Sequence, residues 1–295
     1  MVLKIGSLFS GIGGLDLAVE AATGGETVWQ VESVAYCRSV LARHWPDAEC
    51  FDDVRGLSGL PAIDVLCGGF PCQDLSDVSP KRAGLDGERS GLFFEMVRIA
   101  AETRPATIII ENVPPLLNWR GVVESCFAAI GYGCRWTQLY ASNAGAPHWR
   151  RRVFIVATPS SGFDLVAPML DLDRTRRTVW PTPLAAEAKH ASSGGGRRGG
   201  RSLGIAAGQT AGSGRLTPEW VAQLMGFVDG WIEPDGAPLS GFADRWPAGP
   251  DAEQFAWEAP RLMSGAAVPG RPARLKALGN AVVPQQALLA LRHLL

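Results

Sequence analysis

Residues 3–14 read LKIGSLFSGIGG. A strand-sized apolar run, 3–9, passes directly into the glycine-rich turn Phe9-Ser10-Gly11-Ile12-Gly13-Gly14. Glycines at such a turn let the backbone approach a ligand and swing into a helix. The pattern recurs outward from there. Further strand candidates lie at 27–33, 63–69, 106–112 and 153–158, with helical patterns between them, as at 34–43 and 91–103. Short apolar strands separated by amphipathic helices predict an α/β fold with a parallel sheet covered on both faces. Ligands of such sheets sit beyond the carboxyl ends of the strands. The loops after Leu8, Val31, Cys67 and Ile110 should therefore form one surface. Glu32, ending the second strand, is placed to bond ribose hydroxyls. Asp53, after a third strand, could accept from an adenine amino group. With the glycine-rich turn they point to an adenosine-containing cofactor. NAD-dependent oxidoreductases use such a turn too, so the turn alone leaves the enzyme class open.

After Thr158 the alternation stops. Residues 159–214 are rich in Pro, Gly, Ser and Arg and include SSGGGRRGGR at 192–201, which suggests a separate, loop-rich unit. Thr217-Pro218-Glu219 reads as a helix start: an N-cap threonine, proline at the first helical position and an early acid. Residues 229–265 read as irregular, and 271–295 as helical again with Pro284 opening the last segment. These shifts predict a catalytic domain at 1–158, completed by 266–295, and a second unit at 159–265.

The 295 residues, 46% hydrophobic, are enough for one large and one smaller core. A net charge of −1 argues against a protein that is basic throughout. Charge is nevertheless unevenly placed: from Arg174 to Arg215 there are eight Lys or Arg, Arg197, Arg198 and Arg201 among them, against one acid. From Asp229 to Glu258 the balance reverses, with seven acids against Arg245. A local basic segment fits a partner with phosphates, or else a solvated loop. Six scattered cysteines without a CxxC pair, and four histidines, predict no zinc site. No run is long enough for a membrane span, and residues 1–9 lack a secretory pattern. A reduced, cytoplasmic protein is expected.

The decisive motifs follow two strands. GGFPCQDLS, residues 68–76, comes after the strand ending at Cys67, and Glu111-Asn112-Val113 comes after the strand ending at Ile110. With FSGIGG, the acids Glu32 and Asp53, ERSGLFF at 88–94, the arginines Arg150, Arg151 and Arg152 before a strand, and GNAVVP at 279–284, the chain resembles the cytosine-5 DNA methyltransferase family. The ordered set runs from end to end apart from roughly 159–214.

The resemblance implies a Rossmann-like, S-adenosylmethionine-dependent methyltransferase fold with a smaller target-recognition domain. Its chemistry explains the residue types. Carbon 5 of cytosine is a poor nucleophile; a thiolate adding to carbon 6 makes an enamine that can take a methyl group. Cys72 fits that thiolate. Glu111 would hold a proton at N3, which requires a carboxyl pKa raised by its pocket. Arg152, with Arg150 as its pair, would bond O2. The family's usual glutamine two residues before Arg150 is here His148. Phe9, Gly11, Gly13, Gly14, Glu32, Asp53, Pro71 and Asn280 would hold S-adenosylmethionine, whose product is S-adenosylhomocysteine. A base inside a duplex must be flipped out to react. Gln73, Ser76 and Arg89, in a lid spanning 73–90, and Arg197, Arg198 and Arg201 would then contact double-stranded DNA. A monomer is expected, with a cognate restriction endonuclease as a candidate companion. A transfer-RNA substrate, or a relic that binds DNA without catalysis, are the other readings.

Overall fold

The computed structural model describes residues 2–71, 91–159, 179–188, 202–211, 214–264 and 268–295. Its centre is a seven-stranded sheet ordered β3-β2-β1-β4-β5-β7-β6. The strands are β1 (Lys4–Leu8), β2 (Glu26–Val31), β3 (Glu49–Phe51), β4 (Val65–Gly68), β5 (Thr107–Asn112), β6 (Tyr132–Tyr140) and β7 (Arg151–Pro159). The helices between them are α1 (Gly14–Thr23), α2 (Ala35–His44), α3 (Gly91–Thr103) and α4 (Arg120–Ala129).

The first five strands in that order pair in parallel, as the alternation predicts. The expectation of a wholly parallel sheet fails at one end, because β7 runs antiparallel to both β5 and β6. The cause is local. β6 returns into β7 through the short 3-10 turn Ala141–Ala144, with no helix long enough for a crossover, and so brief a connection permits only antiparallel pairing.

Alternation along the strands sends neighbouring side chains to opposite faces. Ile109, Phe154 and Val156 join Leu15 and Val19 of α1 in one cluster. Ile108, Ile110, Val153 and Ile155 join Phe93 and Met96 of α3 and Phe127 of α4 in another. Both faces are thus covered, and the Ile-rich β5 is buried on each.

Past β7, the described segments add α5 (Leu203–Ala211), the two-residue strands β8 (Arg215–Leu216) and β9 (Leu262–Met263), α6 (Pro218–Leu224), α7 (Arg271–Asn280) and α8 (Pro284–Leu294). Pro284 opens α8, whose Ala287, Ala290, Leu291 and Leu294 form one buried stripe against the cluster containing α1. Trp180, Trp220 and Trp231 share a third cluster with Ile12 and Leu17 of the first half and Leu275 and Leu278 of α7. Packing is therefore continuous across residue 158. The threonine expected to cap α6 does something else: no side-chain bond caps the helix at Thr217. Its hydroxyl donates to the Pro260 carbonyl and its backbone N–H to the Arg261 carbonyl, extending the β8–β9 pairing.

Gly6 of β1 tests this packing. A Cβ there would overlap the Trp29 indole, which is fully buried and donates to the Pro61 carbonyl at 3.2 Å. In an ordinary strand Gly→Ala is stabilising; here overpacking should reverse the sign. Gly6→Ala should lower stability by about 1–3 kcal/mol, seen as a lower urea midpoint at unchanged slope. A midpoint equal to or above wild type would contradict the packing.

Candidate functional site

The carboxyl ends of β1, β2, β3, β4 and β5 open into one cavity of about 860 Å³. Phe9, Gly11, Glu32, Asp53, Pro71, Glu111, Arg152 and Asn280 all line it. Its far wall is helix α7, which presents Ala273, Lys276, Ala277 and Asn280 at i, i+3, i+4 and i+7, a single helical face.

The glycine-rich turn is shaped by two constraints. Gly13 caps α1 with φ 82, a left-handed conformation, and a Cβ on Gly14 would collide with the Val282 carbonyl. Gly14 therefore lets the start of α1 press against the C-terminal segment, Gly13 packs against Trp45, and neither lines the cavity. Phe9 itself sits at φ 57, a strained state for a bulky residue. Glu32, buried at the end of β2, fixes this turn: its Oε2 accepts from Gly11 N at 2.8 Å and its Oε1 from Val34 N at 2.8 Å. Two of the carboxylate's roughly four acceptor sites are thus used, and the rest stay available to a ligand. Asp53 is exposed at the rim, with its Oδ1 accepting from Arg55 N.

At the other end of the cavity Arg152 Nε lies 2.7 Å from Glu111 Oε1. Burial pushes the Glu111 carboxyl above its ordinary pKa, against the opposing charges of Arg152 and Arg150. The pair sets side by side on the cavity wall a guanidinium, which donates hydrogen bonds, and a carboxyl that burial makes easier to protonate than an exposed one. Asn112 Nδ2 donates to the Phe70 carbonyl at 3.0 Å, tying the end of β5 to the loop that carries Pro71. Asn112 was legible only as part of a motif, and Lys276 of the cavity wall was not read at all.

Arg150 is not brought to the cavity, contrary to its expected place beside Arg152. Its buried guanidinium donates to the carbonyls of Pro183 at 3.1 Å, Gly279 at 3.2 Å and Ala281 at 2.7 Å. The last carbonyls of a helix lack intrahelical donors, and the end of α7 leaves Gly279 and Ala281 for this fork to fill. His148, in place of the expected glutamine, also faces inward. Cys72, Gln73, Ser76, Arg89, Arg197, Arg198 and Arg201, and the lid at 73–90, lie outside the described residues. Among the described residues no three His, Cys, Asp or Glu side chains cluster to hold a metal ion, and no helix is long and apolar enough to cross a membrane.

Residues 3–166 match the family model of C-5 cytosine-specific DNA methylases. The Type II methyltransferase M2.BsuMI of Bacillus subtilis is 36% identical over 166 residues, which cover 53% of this chain and 42% of that protein. The chain spans about half the length of the curated relatives it matches. Two solved structures share the fold over nearly the whole length. A methyltransferase of Entamoeba histolytica, EhMeth, has a TM-score of 0.65 at 11% identity and covers 99% of this chain and 98% of its own. A DNA modification methyltransferase described as putative, encoded within an E. coli prophage, has a TM-score of 0.54 at 20% identity with the same coverage of both chains.

His148 gives a pH test of the inner wall. Its Nε2 lies 2.8 Å from the Leu224 carbonyl and it is fully buried. Burial pulls its pKa from 6.5 down to about 3, although the Leu224 bond opposes this. The folded state thus resists the proton that the unfolded chain takes up below pH 6.5. This contribution to stability is complete above that value and is lost as pH falls toward 3, at up to roughly 1.4 kcal/mol per unit. His148→Gln keeps a donor for Leu224 but cannot titrate. Its urea-unfolding free energy should fall less steeply than wild type between pH 6.5 and 4. Parallel curves would show that His148 is not buried neutral.

Proposed function

The chain belongs to the C-5 cytosine-specific DNA methylase family, and from that premise we propose that it methylates carbon 5 of cytosine in double-stranded DNA at a specific sequence. The observation that carries the reading is the Glu111–Arg152 pair, set in the same cavity as Glu32 and Asp53. The cavity's size suits a nucleoside cofactor, and its acids suit adenosine: Glu32 for ribose hydroxyls, Asp53 for the adenine amino group. S-adenosylmethionine, when bound, supplies an electrophilic methyl group and leaves as S-adenosylhomocysteine. Phe9, Gly11, Pro71 and Asn280, which line the cavity, would hold it, and Gly13 and Gly14 shape the turn that carries Phe9 and Gly11.

In this reading the Cys72 thiolate adds to carbon 6 of a flipped cytosine. Electron density moves toward N3 and O2. The protonated Glu111 carboxyl donates at N3, and the Arg152 guanidinium bonds O2. Carbon 5, now enamine-like, takes the methyl group. Solvent water takes the carbon-5 proton, the C–S bond breaks to release the Cys72 thiolate, and the N3 proton returns to the Glu111 carboxylate, which restores the neutral aromatic ring. Arg150 is assigned a positioning role, since its donors are engaged away from the cavity. Gln73, Ser76, Arg89, Arg197, Arg198 and Arg201 are assigned to DNA contact. The recognition domain is placed at 159–265, and the catalytic domain at 1–158 with 266–295. The protein would act as a monomer, alone or beside a cognate endonuclease.

DNA carrying 5-fluorocytosine at the target tests the covalent step, because fluorine cannot leave as a cation. With S-adenosylmethionine present it should trap the enzyme in a complex that survives denaturing electrophoresis. Cys72→Ala should abolish the trap and turnover. Glu111→Ala should slow turnover by about 10²-fold or more. Turnover by Cys72→Ala near the wild-type rate would overturn the mechanism.

A further inference from the structure

Helix α7 carries the basic residues Arg271, Arg274 and Lys276 and no acid. Two of these cations are engaged in the fold. Arg271 Nε donates to the Leu216 carbonyl at 2.9 Å. Arg274 forks onto Glu233 at 2.6 and 2.7 Å. Lys276 is different: it is exposed on the face that lines the large cavity. Its neighbours three and four positions away on the helix are Pro272, Ala273, Gly279 and Asn280, so no acid of α7 can take its charge. Glu32, Asp52, Asp53 and Glu111 line the same cavity, yet among the described residues none forms an ion pair with Lys276. Glu32 accepts from backbone N–H groups instead, and Glu111 faces Arg152.

The steps proposed above leave this ammonium without a task, and charge indicates what it would hold. S-adenosylmethionine bears a sulfonium, an ammonium and a carboxylate, so it is a net cation. A lysine in the wall gives such a ligand no net attraction. The other substrate is a polyanion, with a phosphodiester on each side of every base. A flipped cytosine that reaches the Glu111–Arg152 pair brings its phosphates to the mouth of the cavity. There they meet the exposed rim acids Asp52 and Asp53, whose repulsion a nearby ammonium would offset. Arg55, on the same rim, has a partner of its own.

We propose that Lys276 grips a backbone phosphate beside the flipped cytosine. The proposal rests on the methyltransferase reading above and adds a DNA-binding residue to it. A phosphate contact fixes where the nucleotide stands without reading which base it carries. The Arg274–Glu233 fork holds the rotation of α7. Residues two apart on a helix point to opposite sides, so that fork keeps Lys276 turned toward the cavity. The helix that closes the cavity would then also carry the duplex.

The test is the salt dependence of DNA binding by the full chain. The probe is a short duplex that the wild-type chain methylates, titrated with S-adenosylhomocysteine present. The proteins are wild type, Lys276→Gln and Lys276→Arg. Loss of one phosphate contact should flatten the plot of log Kd against log salt by about 0.9. Lys276→Gln should show that change, as a loss of about eightfold in affinity at about 0.1 M salt that vanishes near about 1 M. Lys276→Arg keeps the charge and should keep the wild-type slope. Neither variant should bind S-adenosylhomocysteine more weakly than wild type when DNA is absent. A wild-type slope in Lys276→Gln would overturn the proposal. So would weaker S-adenosylhomocysteine binding by that variant, which would assign the ammonium to the cofactor's carboxylate. If wild type methylates no duplex, the function proposed above falls, and this assignment with it.

Discussion

The buried guanidinium of Arg150 is the point at which three distant parts of the chain meet. It stands at the entry to β7 and donates to Pro183 of the middle segment and to Gly279 and Ala281 at the end of α7. Gln286 of α8 reinforces the junction by donating to the carbonyls of Leu139 and Arg150. Burying a cation is tolerated only where oxygen acceptors replace its water. Here those acceptors are carbonyls that a helix end would otherwise leave unpaired. Each side solves the other's problem, and the C-terminal segment is held against the sheet as a result.

The cavity depends on that junction. Its walls come from the strand ends of the first half, but α7 and Asn280 close it from the other end of the sequence. Gly279 is packed so closely against the backbone of Leu184 and Ala185 that a Cβ would not fit, so the middle segment also fixes the position of Asn280. Glu32 then sets the glycine-rich turn from below, and Asn112 sets the Pro71 loop from the side. Of the ionisable groups facing the cavity, Glu32 and Asp53 are held by backbone N–H groups, while Glu111 and Arg152 hold each other.

The sequence made some of this legible and hid the rest for physical reasons. β5 and α3 were readable because an isoleucine run and an amphipathic stripe report burial directly. β6 was not. Its nine residues include Arg135, Thr137 and Gln138, polar positions that break the apolar pattern although the strand is largely buried. Nor could the reversed direction of β7 be read, because an apolar run carries no polarity of its own. The arginine pair shows the same limit within the site. The family resemblance placed Arg150 and Arg152 together, and only the fold distinguishes the one that faces the cavity from the one that clamps carbonyls.

The central claim is that this site carries a methyl group to carbon 5 of cytosine in DNA. It is tested most directly by incubating the full chain with S-adenosylmethionine labelled with carbon-13 in its methyl group, alongside duplex DNA or transfer RNA. Each nucleic acid is then digested to nucleosides and analysed by mass spectrometry. The account predicts label in 5-methyldeoxycytidine from the duplex and none in the transfer RNA. Label confined to transfer RNA, to the exocyclic nitrogen of cytosine or to adenine, or no transferred label at all, would contradict it.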